Sequence, residues 1–194
     1  MKFRRTLVAV PLVLVALATG GTAAPKDVPQ IVDPKGDSAA GQAMFDIISV
    51  QYSTKGTGSG RSYLPKKLVV TLNLAGPPSS SGAISYNVVA DTDGCGLIDI
   101  RYAPGHAIGT VIGDSYAKFG SCGASVFFPA KVKGSSVTFE FALKAAGIDR
   151  GTTFSDFTAS VDLSDPVIAE LSTDGGATDG LGDKATGDGT WVVP

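Results

Sequence analysis

Apolar and polar residues alternate with a period of two through most of the chain after residue 43, which is the pattern of strands that bury one face. Clusters of Gly, Pro, Asp and Ser separate these runs. The clearest runs span residues 45–52, 68–74, 84–90, 97–102, 125–132, 137–143 and 154–163, with shorter ones near 110, 116 and 189–193. No stretch beyond residue 24 has sustained helical periodicity. The pattern predicts an all-β, jelly-roll-like antiparallel β-sandwich of about eight to nine strands.

Local breaks refine this prediction. Pro129 interrupts the run 125–132, which indicates an edge strand or a bulge there. Residues 144–147 are typical of one short helical turn. Residues 25–40 and 174–188 are short of apolar side chains, so we expect both segments to be mobile.

The N-terminus predicts the compartment. Lys2, Arg4 and Arg5 precede an apolar run of twelve residues, 7–18, and the small residues Ala23 and Ala24 follow. This is the layout of a secretory signal peptide cleaved after Ala24. A membrane span needs roughly 20 residues, so a retained N-terminal anchor is the less favoured alternative. We expect residues 1–24 to be removed and 25–194 to form a single secreted domain without a membrane attachment.

Charge argues against one class of partner. After removal of the signal peptide, 13 basic residues remain against 18 acidic ones. Nucleic-acid-binding proteins carry a basic face, so we do not expect a nucleic-acid partner.

Cys95 and Cys122 are the only two cysteines. Exported chains meet oxidising conditions, so a Cys95–Cys122 disulfide is the preferred prediction. A metal or redox pair is the alternative, but the spacing does not fit C-x-x-C chemistry and a single histidine cannot complete a zinc site.

The acidic residues are sixteen Asp and two Glu. Asp favours turns, and Asp-bearing loops are also where hard cations such as Ca²⁺ bind. Asp33 and Asp37 flank a Pro-Lys-Gly turn, and Asp46 follows at the start of the first long strand. These three residues are either a plain Asx-type turn or ligands of a calcium ion.

Two further Asp groups are weaker metal candidates. The sequence Asp91-Thr-Asp93-Gly94 starts like an EF-hand loop but lacks the later ligands, so a hairpin turn is preferred. The glycine-rich tail carries Asp174, Asp179, Asp183 and Asp188. This tail either wraps a cation or is a solvated linker, and the linker is preferred.

Candidates for catalysis are few. The single histidine, His106, has no G-x-S-x-G serine to pair with, and no metalloprotease or P-loop motif is present. A glycosidase would need two carboxylates across a cleft, but acid catalysts need apolar burial and these Asp residues lie in polar turns. We therefore expect a protein that is not an enzyme, with a hydrolase using paired Asp as the alternative.

Exposed aromatic side chains are candidates for stacking on sugar rings. The residues outside clear core positions are Tyr63, Tyr102, Tyr116 and Trp191. The alternative for each is packing in the core or at a sheet edge, where Tyr and Trp are common.

Several short motifs resemble those of bacterial secreted sandwich domains. They are the Asp-Pro-x-Gly-Asp opening at 33–37, Asp46-Ile47, the strand 68–74, and the later run through 137–143, Ala146-Gly147 and 151–154. The group includes DOMON-type domains and family-nine carbohydrate-binding modules. The chain is most similar to small secreted proteins of high-GC Gram-positive bacteria (actinobacteria).

The resemblance implies a sandwich fold and, for some members, calcium or sugar binding. Heme-binding members use a Met/His pair, but Met44 is the only methionine after the signal peptide, so heme is not expected.

We therefore predict a secreted, non-catalytic binding module for a carbohydrate or cell-envelope ligand, with calcium as a structural aid. A protein-binding module, such as an inhibitor or adhesion factor, is a further alternative.

Overall fold

The computed structural model describes residues 28–38, 41–104, 107–108, 111–112, 115–122, 125–163 and 181–194. The predicted signal peptide lies outside these residues. In the described part of the chain no helix combines the length and apolar character that crossing a membrane requires.

The described residues form fourteen strands. In chain order they are β1 (Ile31–Val32), β2 (Ile47–Thr57), β3 (Leu64–Leu74), β4 (Ile84–Thr92), β5 (Ile98–Tyr102), β6 (Ala107–Ile108), β7 (Val111–Ile112), β8 (Ser115–Phe119), β9 (Val126–Phe127), β10 (Lys131–Lys133), β11 (Ser136–Ala142), β12 (Thr153–Leu163), β13 (Leu181–Gly187) and β14 (Trp191–Val192). Eight of them are five residues or longer.

Two antiparallel sheets contain nearly all of these strands. The five-stranded sheet has the order β1-β2-β3-β11-β10. The seven-stranded sheet has the order β13-β12-β4-β5-β8-β9, with β14 pairing β12. β6 and β7 form a separate two-stranded ribbon. The predicted all-β class is therefore confirmed.

The core lies between the two sheets and is built from the inward residue of each alternating pair. Tyr52 of β2 packs its ring 5.6 Å from Phe154 and 5.1 Å from Phe157 of β12. Phe119 of β8 lies 5.1 Å from Phe141 of β11. Each of these side chains is at most 5 % exposed. Burial of an aromatic or aliphatic side chain of this size stabilises the fold by about 1.5–3 kcal/mol.

The Cys95–Cys122 disulfide predicted from the sequence is present, with the two Cα atoms 4.9 Å apart. Cys95 lies in the turn between β4 and β5, and Cys122 lies just after β8. The backbone amide of Ser121 also donates to the Cys95 carbonyl at 2.8 Å. The disulfide therefore fastens two neighbouring turns at one end of the seven-stranded sheet.

The local breaks agree with the sequence in two places. Pro129 falls in the gap between β9 and β10, and residues Leu143–Ala146 form a 3-10 turn. Gly147 ends that turn with a φ of +67°, a left-handed conformation that glycine adopts readily.

Within the described residues, part of each of the two segments expected to be mobile lies in a strand. Ile31 and Val32 pair with Val50 and Ser49 of β2 at the edge of the five-stranded sheet. Leu181–Gly187, expected to be linker, is a strand that pairs with β12 along the other sheet. Residues 31–32 and 181–187 therefore form backbone hydrogen bonds that their composition does not reveal.

Candidate metal centre and outer-sheet groove

Three aspartates from opposite ends of the domain converge at one edge of the sandwich. One carboxylate oxygen from each of Asp33, Asp37 and Asp183 lies within 4.8 Å of the others. Asp33 and Asp37 follow β1 of the five-stranded sheet, whereas Asp183 belongs to β13 of the seven-stranded sheet. We call these three residues the Asp cluster.

Local backbone geometry positions the first two members. The amide of Asp33 donates to the Ile48 carbonyl at 3.0 Å, which extends the pairing of β1 with β2. Gly36 then takes a φ of +94°, a value that a residue with a side chain rarely adopts. This turn brings Asp37 back beside Asp33. The sequence predicted the convergence from the same Pro-Lys-Gly spacing.

Asp46, the third metal ligand predicted from the sequence, is a neighbour of the Asp cluster instead of a member. Its Oδ2 accepts a hydrogen bond of 2.8 Å from the Gly36 amide and so holds the turn. The residue is only 3 % exposed, and in the described part of the chain its buried Oδ1 has no hydrogen-bond partner. Asp46 therefore has a free acceptor beside the Asp cluster.

The sequence pattern placed Asp183 in the glycine-rich tail and did not predict that it joins Asp33 and Asp37. Its Oδ2 accepts from the Ile47 amide at 2.7 Å and its Oδ1 accepts from the Lys184 amide at 2.8 Å. It lies on the same face of β13 as the buried Ala185, so it points toward the space between the sheets. A register shift opposite Val161 and Asp162 marks an irregularity beside it.

The electrostatics of this edge disfavour negative charge. Burial first, and then the charges of Asp37, Asp183 and Asp46, raise the pKa of Asp33 to about 6. Burial also raises the pKa of Asp183, against the hydrogen bonds it accepts from backbone amides. Every ion pair within 4.0 Å among the described residues involves Glu140, on the other face of the five-stranded sheet, so no such pair neutralises the Asp cluster.

The geometry of the Asp cluster suits a hard cation. Ca²⁺ binds carboxylate and carbonyl oxygens at about 2.3–2.6 Å, so two of its ligands lie at most about 5 Å apart. The oxygens of Asp33, Asp37 and Asp183 meet that limit. Asp33 Oδ2 is also buried without a hydrogen-bond partner among the described residues, so it has a lone pair to offer. The donor set is all oxygen, as calcium requires.

A second feature is found on the outer face of the seven-stranded sheet. Ser160, Asn87, Arg101, Tyr116 and Phe127 are paired in register across β12, β4, β5, β8 and β9. Directly opposed residues share a face, so these five side chains form one transverse row. With neighbouring strands about 4.8 Å apart, the row is about 19 Å long.

A groove of about 470 Å³ lies on this face. Ser85, Arg101, Tyr116, Phe127 and Asp162 are among the residues that line it. Phe127 is 41 % exposed, and its ring lies 6.2 Å from that of Tyr116. The guanidinium carbon of Arg101 is 5.8 Å from the centre of the Tyr116 ring. The groove therefore combines two neighbouring aromatic rings with charged and hydroxyl groups.

Asp162 and Arg101, the two charged residues of the groove, differ in their hydrogen-bond partners. The carboxylate of Asp162 accepts from Asn87 Nδ2 at 2.6 Å and from the Ser160 hydroxyl at 3.0 Å. By contrast, the buried Arg101 Nε has no hydrogen-bond partner among the described residues. The same is true of Asn87 Oδ1 and Asp99 Oδ1, which lie on the same face of the sheet.

Of the four aromatic residues predicted to bind a ligand, the structure places only Tyr116 in the groove. Tyr102 is 8 % exposed and its ring stacks 5.9 Å from Tyr86 in the core. Trp191 packs 5.2 Å from Phe154, and the Tyr63 hydroxyl donates to the Thr54 carbonyl at 3.0 Å. For these three residues the packing alternative describes the structure better.

The sequence pattern did not predict that Phe127 lines the groove. The only available signal was the alternation in 125–132, where Phe127 has the opposite phase to Val126, which packs against the core. Pro129 shortens that run and hides the pattern.

Of the other Asp residues considered as metal ligands, Asp91 and Asp93 accept hydrogen bonds from backbone amides near the turn between β4 and β5. Asp91 Oδ1 accepts from the Thr92 amide at 2.9 Å, and Asp93 Oδ1 accepts from the Thr153 amide at 2.7 Å. These bonds shape the turn that carries Cys95. Asp174, Asp179 and His106 lie outside the described residues, and Asp188 is exposed.

Comparison of the chain with protein-family models, curated proteins and solved structures found no match.

Proposed function

We propose that this protein is a secreted, non-catalytic binding module that takes a carbohydrate or cell-envelope ligand in the groove of the seven-stranded sheet. The observation that carries the proposal is the Tyr116–Phe127 pair, two adjacent rings that line one side of a groove. Aromatic rings bury a large apolar area at low conformational cost, and their faces accept the C–H faces of a sugar. The hydroxyl and charged groups beside them supply hydrogen bonds, as small-molecule sites require.

The test is polysaccharide binding measured by affinity electrophoresis against a panel of soluble glycans. We expect the purified protein to be retarded and the Tyr116→Ala variant to lose most of that retardation. Tyr63→Ala is the matched control, because Tyr63 precedes β3 of the other sheet. Melting temperatures of both variants establish that they fold. Equal retardation of Tyr116→Ala and the unchanged protein would exclude the groove as the binding site.

We also propose that a calcium ion held by Asp33, Asp37 and Asp183, with Asp46 beside it, stabilises this module. The support is the convergence of three carboxylates and the absence, among the described residues, of an ion pair within 4.0 Å to any of them. Calcium would join the edge of one sheet to the edge of the other, because the ligands come from both. Oxygen ligands from Asp side chains are those that calcium prefers.

Thermal unfolding with millimolar calcium and with a chelator tests this second proposal. A cation that binds only the folded state raises stability by about 2.7 kcal/mol at a hundred times its dissociation constant. We expect this gain in the unchanged protein, its loss in Asp37→Asn, and its retention in the control Asp149→Asn, since Asp149 is exposed and far along the chain. Identical melting with calcium and chelator would contradict the proposal.

A further inference from the structure

Arg101, in the outer-sheet groove, has one buried donor, its Nε–H, that no described residue accepts. Arg101 lines the groove and is held against the ring of Tyr116. Its buried Nε–H has no acceptor, and among the described residues it forms no ion pair within 4.0 Å. A buried donor without an acceptor destabilises a protein by about 1–3 kcal/mol, so such a group calls for an explanation.

The acid of the same groove is already satisfied. Both oxygens of Asp162 accept hydrogen bonds, one from Asn87 and one from Ser160. Asp99 interacts electrostatically with Arg101 but is not among the residues that line the groove. A ligand that enters the groove therefore meets a guanidinium that no described carboxylate approaches within 4.0 Å, and a carboxylate whose two oxygens already accept hydrogen bonds.

We propose that the groove recognises an acidic sugar, a uronic acid residue whose carboxylate binds Arg101 while its ring lies against Tyr116 and Phe127. The inference rests on the proposed carbohydrate-binding function and specifies the chemistry of the ligand. Arg is suited to this role because its planar guanidinium presents paired donors that match a carboxylate. The ring of Tyr116 fixes the guanidinium from one side, which lowers the entropy lost when the carboxylate binds.

The transverse row supports an extended ligand. Arg101, Tyr116 and Phe127 are consecutive in that row, so the cation and the two rings lie in one line across three strands. Asn87, which is only 3 % exposed, and Ser160 continue the row, and the polar residues Ser85 and Asp162 line the groove on that side. A polyuronate chain that runs across the strands would place one sugar over the rings and the next beside the polar end.

The experiment compares uronate polysaccharides with neutral forms of the same polymers. Polygalacturonate, alginate and hyaluronan are each used as prepared and after chemical reduction of the carboxyl groups. Affinity electrophoresis or calorimetry gives the dissociation constants for the unchanged protein, for Arg101→Gln and for Arg101→Lys. Lys133→Gln is the control, because Lys133 is an exposed cation of the other sheet.

We expect at least one uronate polymer to bind tenfold or more tightly than its reduced form. Arg101→Gln should remove that preference, Arg101→Lys should retain part of it, and Lys133→Gln should leave it unchanged. Equal binding of acidic and reduced polymers, or a preference that survives Arg101→Gln, would overturn the inference and leave the carbohydrate-binding proposal standing. Failure of every acidic and neutral polymer to bind would overturn both.

Discussion

The Oδ2 atom of Asp183 accepts a hydrogen bond of 2.7 Å from the backbone amide of Ile47, 136 residues earlier in the chain. The contact joins β13 at the edge of one sheet to the start of β2 in the other. It also fixes the carboxylate that completes the Asp cluster. One side chain therefore takes part in the packing of the two sheets and in the proposed cation site, and substitutions separate these two roles.

We predict that Asp183→Asn and Asp183→Ala behave differently. Asn keeps a carbonyl oxygen for the Ile47 amide and removes one negative charge, but it turns its NH2 group toward the Lys184 amide, so in chelator it should lose less stability than the Ala variant. Ala leaves the Ile47 amide without an acceptor, which should reduce the free energy of unfolding by about 1–3 kcal/mol. Urea unfolding in chelator measures both values.

Addition of calcium then tests the second role of Asp183. Both variants should lose the stabilisation that calcium gives to the unchanged protein, since each lacks one ligand. If Asp183→Asn gained as much from calcium as the unchanged protein, Asp183 would not be a ligand.

The Glu140 cluster on the outer face of the five-stranded sheet predicts a pH dependence. Lys55 and Lys67 each approach the Glu140 carboxylate to 2.7 Å, and Lys131 approaches it to 3.4 Å. The hydrogen bonds from Lys55 and Lys67 lower the pKa of Glu140 to about 2. Because the folded pKa is lower than the unfolded one, this carboxylate stabilises the fold above about pH 4.5, and the contribution is lost as pH falls toward 2.

Glu140→Gln should therefore lower stability at neutral pH by about 0.5–1 kcal/mol, the range of an exposed ion pair. The difference between Glu140→Gln and the unchanged protein should shrink as pH falls through this window, and also in 1 M salt, where charges are screened. Unfolding midpoints of the two proteins across the pH range measure it. A difference that stays constant with pH would show that the ion pairs contribute nothing.

Removal of the disulfide should destabilise the protein substantially. The bond closes a loop of 28 residues, with a sequence separation of 27, for which the chain-entropy model gives about 3–4 kcal/mol. The Cys95→Ser/Cys122→Ser double variant should lose about that much, and reduction of the unchanged protein should have a similar effect on unfolding. Urea unfolding with and without reductant measures the loss, and equal midpoints would show that the hydrogen bond between Ser121 and Cys95 suffices to hold these turns.

Sequence patterns predicted the parts of this molecule that depend on local alternation. The run at 137–143 has buried residues at every second position, and the run at 154–163 does so from Phe157 onward, so their strands and core faces could be read directly. The Asp33–Asp37 convergence was also predictable, since a Gly turn brings the two together. The contribution of Asp183 was not, because it depends on a strand that pairs 20 or more residues away and whose composition is that of a linker.

The two tyrosines Tyr102 and Tyr116 could have been separated from the sequence by the same alternation. Tyr102 is in phase with the buried Ile98 and Ile100 of β5, whereas Tyr116 is in phase with the exposed Lys118 of β8. The register agrees, because Tyr102 lies opposite Tyr86 in the core and Tyr116 lies opposite Arg101 on the outer face. The alternation does not show which residues of other strands lie beside Tyr116, because that depends on strand pairing.

The glycines of β13 leave room for neighbouring parts of the chain, which explains why this strand has the composition of a linker. A Cβ atom on Gly187 would lie 2.1 Å from the carbonyl oxygen of Gln30, and one on Gly182 would lie 3.2 Å from Phe45. The N-terminal segment crosses β13 so closely that a side chain at Gly187 has no room.

Gly187→Ala should therefore separate the N-terminal segment from β13 and destabilise the protein by about 1–3 kcal/mol, whereas the exposed neighbour Thr186→Ala should change stability by less than about 0.5 kcal/mol. Because this contact lies between the segment that leads to Asp33 and the strand that carries Asp183, Gly187→Ala should bind calcium more weakly although it removes no ligand. Urea unfolding with and without calcium tests both effects, and an unchanged calcium response in Gly187→Ala would show that the Asp cluster forms independently of this crossing.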